Sequence, residues 1–177
     1  MTGPLNQLRV LHDTIDDRVK VLEEEHQDFM QCKRGCSDCC QDDLTVFSIE
    51  AQRIEDFLSE SGTPRDLEIH PEGSCAFLHP THKACQVYEV RPYVCRTQGL
   101  PLRFIEETDD GLAEFRDICP LNDDPKHPIE ELSSESCWEI GPTEGELWQL
   151  AKAGTDSDPI KERVALRAIA ERSIKTT

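Results

Sequence analysis

The chain has 177 residues, enough for one domain with helical appendages. Acidic residues outnumber basic ones 36 to 19 and the formal charge is -17, so its field repels phosphate backbones and anionic membranes and excludes nucleic acid as a partner. Only 37% of residues are hydrophobic and 6% aromatic, a lean supply for a core that calls for a covalent or metal staple.

No apolar run approaches the roughly 20 residues that span a bilayer, and Met1 to Val10 lacks a signal-peptide stretch. The chain therefore reads as cytoplasmic, with no membrane partner. Thiols stay reduced in that compartment, so its nine cysteines are ligands or redox groups rather than a disulfide framework.

From Leu5 to Gln31, apolar Leu8, Leu11, Ile15, Val19, Leu22 and Phe29 recur mostly at three and four. This is the stripe of an amphipathic helix, and it lasts too few heptads to require a coiled-coil partner. A second helix is expected over Ile49 to Ser59, with Ser48 as N-cap and Glu50 in the first turn, stopped by Gly62 and Pro64. Irregular, proline-punctuated chain follows to Pro92, which opens a short helix carrying Tyr93, Cys95 and Arg96.

Leu102 to Glu106 and Leu112 to Arg116 flank Thr108-Asp109-Asp110-Gly111, predicting a β-hairpin that delivers Cys119 from its returning strand. Thr143-Glu144-Gly145-Glu146 reads as a capping box before a helix. Asp158-Pro159 is expected to open the last helix, with Ile160, Val164, Ala168 and Ile169 on its buried side. The expected fold is small α+β, metal-stapled and loop-rich, with amphipathic helices at both ends and a short β-hairpin. Its parts are an N-terminal helix over residues 1–31, a cysteine-cluster domain over 32–140 and C-terminal helices over 141–177.

The cysteines form an ordered series: Cys32, Cys36, Cys39 and Cys40, then Cys75, Cys85 and Cys95, then Cys119 and Cys137. A structural cysteine is an isolated small hydrophobe, and four within nine polar residues cannot all be that, so all nine are candidate metal ligands. Cysteines three or four apart converge on one ion. Adjacent Cys39 and Cys40 diverge in regular backbone, so they point to different metals or to different atoms of a polynuclear cluster.

Four thiolates per metal or per iron-sulfur cluster leave two arrangements open. Eight cysteines complete two sites with one to spare, or all nine hold three metals through bridging sulfurs. Sulfur-only ligation suits zinc and iron alike. Lys33, Arg34, Lys83, Arg91 and Arg96 would offset thiolate charge, and His79 and His82 are further candidate ligands.

Cys-x3-Cys-x2-Cys-Cys followed by Cys75-Ala76-Phe77-Leu78, by Cys85 through Arg91-Pro92 and by Cys95-Arg96 resembles the CxxCxxCC family, also called YkgJ-type cysteine cluster proteins. The resemblance runs from about Cys32 to Cys119 and implies a zinc- or iron-chelating domain. It supports Cys32, Cys36, Cys39, Cys40, Cys75, Cys85 and Cys95 most directly, then Cys119, with Cys137 a late candidate and Glu50 a family position. The first gap is one residue longer than the family name, which Gly35 absorbs in a tight turn.

Three functions follow. The first is a metal-binding protein whose cysteine-ligated zinc or iron centre, multi-site or polynuclear, handles metal or carries electrons. The second is a zinc-stapled interaction module with an unidentified protein partner. The third is a cluster-dependent enzyme, as the similar cluster of flagellin lysine-N-methylase implies, although the sequence carries no glycine-rich nucleotide loop.

Overall fold

A computed structural model describes residues 3–33, 35–60, 67–154 and 157–175. The first helix, α1 (Pro4–Glu25), begins with proline at a first-turn position, where its missing N–H costs nothing. Leu8, His12, Ile15, Val19 and Leu22 form its buried face, which packs on α2 (Ser48–Ser59), α3 (Tyr93–Arg96) and α4 (Pro142–Lys152). The stripe thus serves the chain's own core. The helix stops short of Gln31, and buried Phe29 continues the apolar surface beyond its end, between the rings of His26 and His127.

Phe47, not Ser48, is the N-cap of α2. The Glu50 carboxylate decides the start, because Oε2 accepts the Phe47 N–H at 3.3 Å while Oε1 accepts the Tyr93 N–H at 2.7 Å. One buried side chain therefore satisfies orphan donors at the starts of two helices and fixes α3 against α2. Gly62 and Pro64, the expected stop, lie outside the described residues.

Among the described residues, the irregular stretch before α3 contains one bridge, Leu78 to Cys85, and a 3₁₀ turn over Tyr88–Val90. The hairpin forms as expected from β2 (Leu102–Thr108) and β3 (Gly111–Asp117), with Gly111 at φ +113° closing the turn. A short strand, β4 (Trp138–Glu139), adds parallel to β2 and gives the order β3-β2-β4. A separate pair joins β1 (Thr45–Val46) antiparallel to β5 (Val164–Ala165).

The C-terminal expectations need correction. Helix α4 starts at Pro142 after Gly141 at φ +120°, with no side-chain cap, so Thr143 lies within the helix. The last helix, α5 (Leu166–Lys175), starts well after Asp158-Pro159. Asp158 instead closes a turn, accepting the Ile160 N–H on its carboxylate and the Lys161 N–H on its carbonyl. Ile160 is 63% exposed, and Val164 goes into the strand paired with β1.

Two apolar clusters meet at α2. One gathers the α1 stripe with Phe47, Ile49, Tyr93, Leu100, Trp138 and Leu147. The other gathers Val46, Ala51 and Ile54 with Phe77, Leu78, Val87, Leu166 and Ile169. The result is a small mixed α+β fold, and no described helix is long and apolar enough to cross a membrane.

Candidate metal centre

Consecutive turns shape the first cysteine run. The Cys36 N–H donates to the Lys33 carbonyl at 2.9 Å with Gly35 at φ +96°, so the glycine does take up the extra residue. The Cys40 N–H then donates to the Ser37 carbonyl at 2.9 Å. The Cys40 carbonyl accepts the Cys75 N–H at 2.9 Å, bringing the second run beside the first. Chain from Phe77 to Gln86 folds back on itself and sets Cys85 opposite Leu78. Cys95 rides on α3, and Cys119 follows β3 directly.

The thiols influence one another in two overlapping groups, with Cys39 acting in both, on Cys32 and on Cys95. Cys32 is raised above the ordinary thiol value by burial and by the charges of Cys36, Cys119 and Cys39, while an Asn122 hydrogen bond opposes the shift. Cys40 feels Cys39, Cys75 and Cys85, and Cys95 feels Cys75, Cys85 and Cys39. Burial pushes the Cys75, Cys85 and Cys95 thiols up. Packing agrees, because Cys75 belongs to the second apolar cluster and Cys40 and Cys85 lie against it.

The groups meet at Cys39-Cys40. A hydrogen bond from the Cys40 thiol lowers the Cys39 pKa, and the same bond raises that of Cys40. One proton between two neighbouring sulfurs leaves Cys39 the better thiolate. Among the described residues, no three Cys, His, Asp or Glu side chains close on one point. The thiols are grouped rather than clamped.

Cys137 stands elsewhere. It is buried beside Trp138 in a pocket of about 380 Å³ lined also by Arg18, Arg103 and Glu135, and the charges it feels are those of Arg116, Glu114, Arg103 and Glu25. The His79 and His82 rings lie 4.3 Å apart, with His79 Nδ1 accepting the Thr81 and His82 N–H groups.

The basic residues divide. Lys33 and Lys83 are exposed, Arg34 lies outside the described residues, and Arg91 and Arg96 both reach Asp16 on α1, at 3.7 and 2.5 Å. Arg91 also lowers the Cys85 pKa, against the larger effect of burial. Arg96 donates to the Arg91 and Glu89 carbonyls and so stiffens the approach to Cys95.

Three supporting residues carry no local sequence signal. Asn122 is 1% exposed; its Oδ1 accepts the Gln31 N–H at 2.7 Å, and its Nδ2 reaches the Gly99 carbonyl at 2.8 Å and Cys32 Sγ at 3.4 Å. Its backbone N–H donates to the Cys119 carbonyl at 2.8 Å, so one residue ties Cys32 to Cys119. Gly99, at φ +95°, leaves room for the Cys32 sulfur, which would lie 2.4 Å from any Cβ added there. Arg167 on α5 holds Asp42 at 2.5 Å and the carbonyls of His70, Pro71 and Ser74, gripping the chain beside Cys40 and Cys75.

Thiols on neighbouring loops, with an amide directed at one sulfur and a cradle left open for it, have the donor chemistry that zinc or iron takes. No curated protein and no solved structure matches the chain. The profile of the family described as "Putative zinc- or iron-chelating domain" matches residues 31–120, which is just over half of the sequence and takes in every cysteine except Cys137. The chain belongs to this CxxCxxCC family.

Proposed function

We propose that this chain binds zinc or iron through two four-thiolate centres that share the Cys39-Cys40 dipeptide, in the service of metal handling or electron transfer. Cys32, Cys36, Cys39 and Cys119 form the first centre; Cys40, Cys75, Cys85 and Cys95 form the second. Cys137 is the spare thiol. The observation that supports this reading is that the Cys40 carbonyl accepts the Cys75 N–H at 2.9 Å, with Cys40 and Cys85 against the apolar cluster that holds Cys75, whereas Cys32 and Cys119 are joined through Asn122. Four thiolates complete either a tetrahedral ion or an iron-sulfur cluster, and adjacent side chains diverge toward different partners.

A stapling role for the second centre is favoured by its place in the fold. Cys75 lies within an apolar cluster and Cys40 and Cys85 pack against it, so metal bound there adds directly to folding energy. Cys32 is in neither apolar cluster and is exposed as a residue, although its sulfur rests against Gly99 and Asn122.

Metal analysis and a visible spectrum on protein prepared without oxygen test the proposal. About two equivalents of zinc or iron are expected, or two clusters if the protein is brown. Cys137→Ser keeps the full load, whereas Cys39→Ser or Cys40→Ser each lowers it. A metal-free preparation, or a load lost with Cys137, refutes the two-centre assignment.

A further inference from the structure

We infer that the two centres differ in exchange: the first gives up its metal to competing thiols or chelators, the second retains it, and Asn122 sets the rate of release from the first. This rests on the two-centre reading above. A thiolate-bound ion leaves when one sulfur swings away and a competing ligand takes its place, so release follows the most accessible and least constrained arm of the site. The two groups differ in both respects.

In the second group Cys40, Cys85 and Cys95 are half-buried like most of the first, but the set is anchored on the core. Cys75 is buried, Cys40 and Cys85 lie on an apolar cluster, and Cys95 sits on α3, whose start is fixed by Glu50. Arg167 adds four contacts to the chain between Asp42 and Ser74. In the first group Cys32 is exposed and Cys36, Cys39 and Cys119 are half-buried, all on turns or irregular chain. Cys32 is the arm most open to solvent.

What holds that arm is one side chain. Asn122 accepts the backbone N–H immediately before Cys32 and directs its amide at the Cys32 sulfur, while its own backbone N–H is anchored on Cys119. An N–H directed at a thiolate stabilises the charge that binds metal and orients the sulfur. Asn122 is thus a positioning residue for the first centre, and it lies just beyond the matched residues 31–120.

The test loads the full chain with zinc and follows transfer to the chromogenic chelator 4-(2-pyridylazo)resorcinol. Two phases of similar amplitude are expected, and Cys32→Ser removes the faster one. Asn122→Asp keeps the acceptor for the Gln31 N–H but replaces the amide donor with a carboxylate facing the sulfur and the Gly99 carbonyl; it accelerates the fast phase at least about tenfold, the order expected for losing a hydrogen bond to a charged group, and leaves the slow phase unchanged. Asn122→Ala accelerates it further, and circular dichroism on both variants establishes that the fold is kept. Release of two equivalents in a single phase, or equal acceleration of both phases by Asn122→Asp, overturns the inference while leaving the two-centre reading standing. A load below two equivalents overturns both.

Discussion

Substituting alanine for Gly99 probes the close approach of its backbone to the Cys32 sulfur. An added Cβ would stand 2.4 Å from Cys32 Sγ and 3.3 Å from Asn122 Nδ2. Comfortable non-bonded contact requires about 3.5 Å or more, so the sulfur must retreat by about 1 Å. Backbone at φ +95° adds about 1–2 kcal/mol for any L side chain. With the overpacking cost the total is about 2–4 kcal/mol. Gly73 supplies the control: its φ is +96° and nothing lies within 4 Å of an added Cβ, so Gly73→Ala carries the backbone cost alone. Denaturant unfolding of both variants isolates the contact with sulfur, and zinc analysis reads its consequence. Gly99→Ala is expected to be the less stable and to lose the first-centre equivalent, with Gly73→Ala retaining both. Equal destabilisation with full metal loads in both variants would refute the cradle.

Arg167→Ala removes the Asp42 pair and three carbonyl contacts; it should cost about 1–3 kcal/mol and speed release from the second centre in the chelator assay. Arg167→Lys recovers little, because an ammonium cannot reproduce the guanidinium fork. Glu50→Ala strands the buried Phe47 and Tyr93 N–H groups; a loss of about 2–4 kcal/mol is expected by denaturant melt, with weaker second-centre loading through Cys95. His12 is fully buried, its Nδ1 bonded to Arg53 and its Nε2 3.4 Å from Glu50, off the line of a hydrogen bond. Burial pushes its pKa down, with Arg96 and Arg53 helping and Glu50 opposing. The unfolded chain takes up this proton near pH 6.5 and the folded chain only lower, so the contribution is full above about pH 6.5 and is lost as pH falls through the folded value. Between pH 7.5 and 5.5 the wild type should therefore lose more denaturant resistance than His12→Gln, and parallel pH profiles would argue against the assignment.

What was legible in the sequence follows the range of the interactions. The α1 stripe, the hairpin and the short helix at Tyr93 are specified by neighbours within a turn, and all three form. Asp158-Pro159 resembles a helix entry, but its carboxylate caps a turn and the last helix starts only at Leu166. The strand that follows has only two residues, and its partner lies at Thr45. No periodicity can announce a pair that short. Arg91 and Arg96 read as charge compensation for thiolates, but their nearest carboxylate is Asp16, far back on α1. The cysteine run was legible as chemistry, because four sulfurs among polar residues have few other uses. Its division into two groups was not, since it depends on which loop returns beside which.

On the two-centre reading, Gly99 and Glu50 support the cysteines from within the family's own segment, and other supports lie outside it. Asp16, reached by Arg91 and Arg96, belongs to α1; Asn122 and Arg167 follow the matched residues 31–120. A family defined by cysteine spacing supplies donors, and spacing alone brings them to loops that must still be aimed. Here the aiming is done by an amide across the first group and a guanidinium across the second, each contributed by chain that the spacing does not contain. Relatives with the same cysteines but different flanking helices would then share a donor set and differ in how firmly each centre keeps its metal. If the proposal holds, retention depends on the flanks, and excising residues 31–120 from this chain removes Asn122, Arg167 and Asp16 together. The isolated segment should exchange metal from both centres at similar, fast rates, whereas two well-separated phases from that segment would place the difference within the cysteine loops themselves.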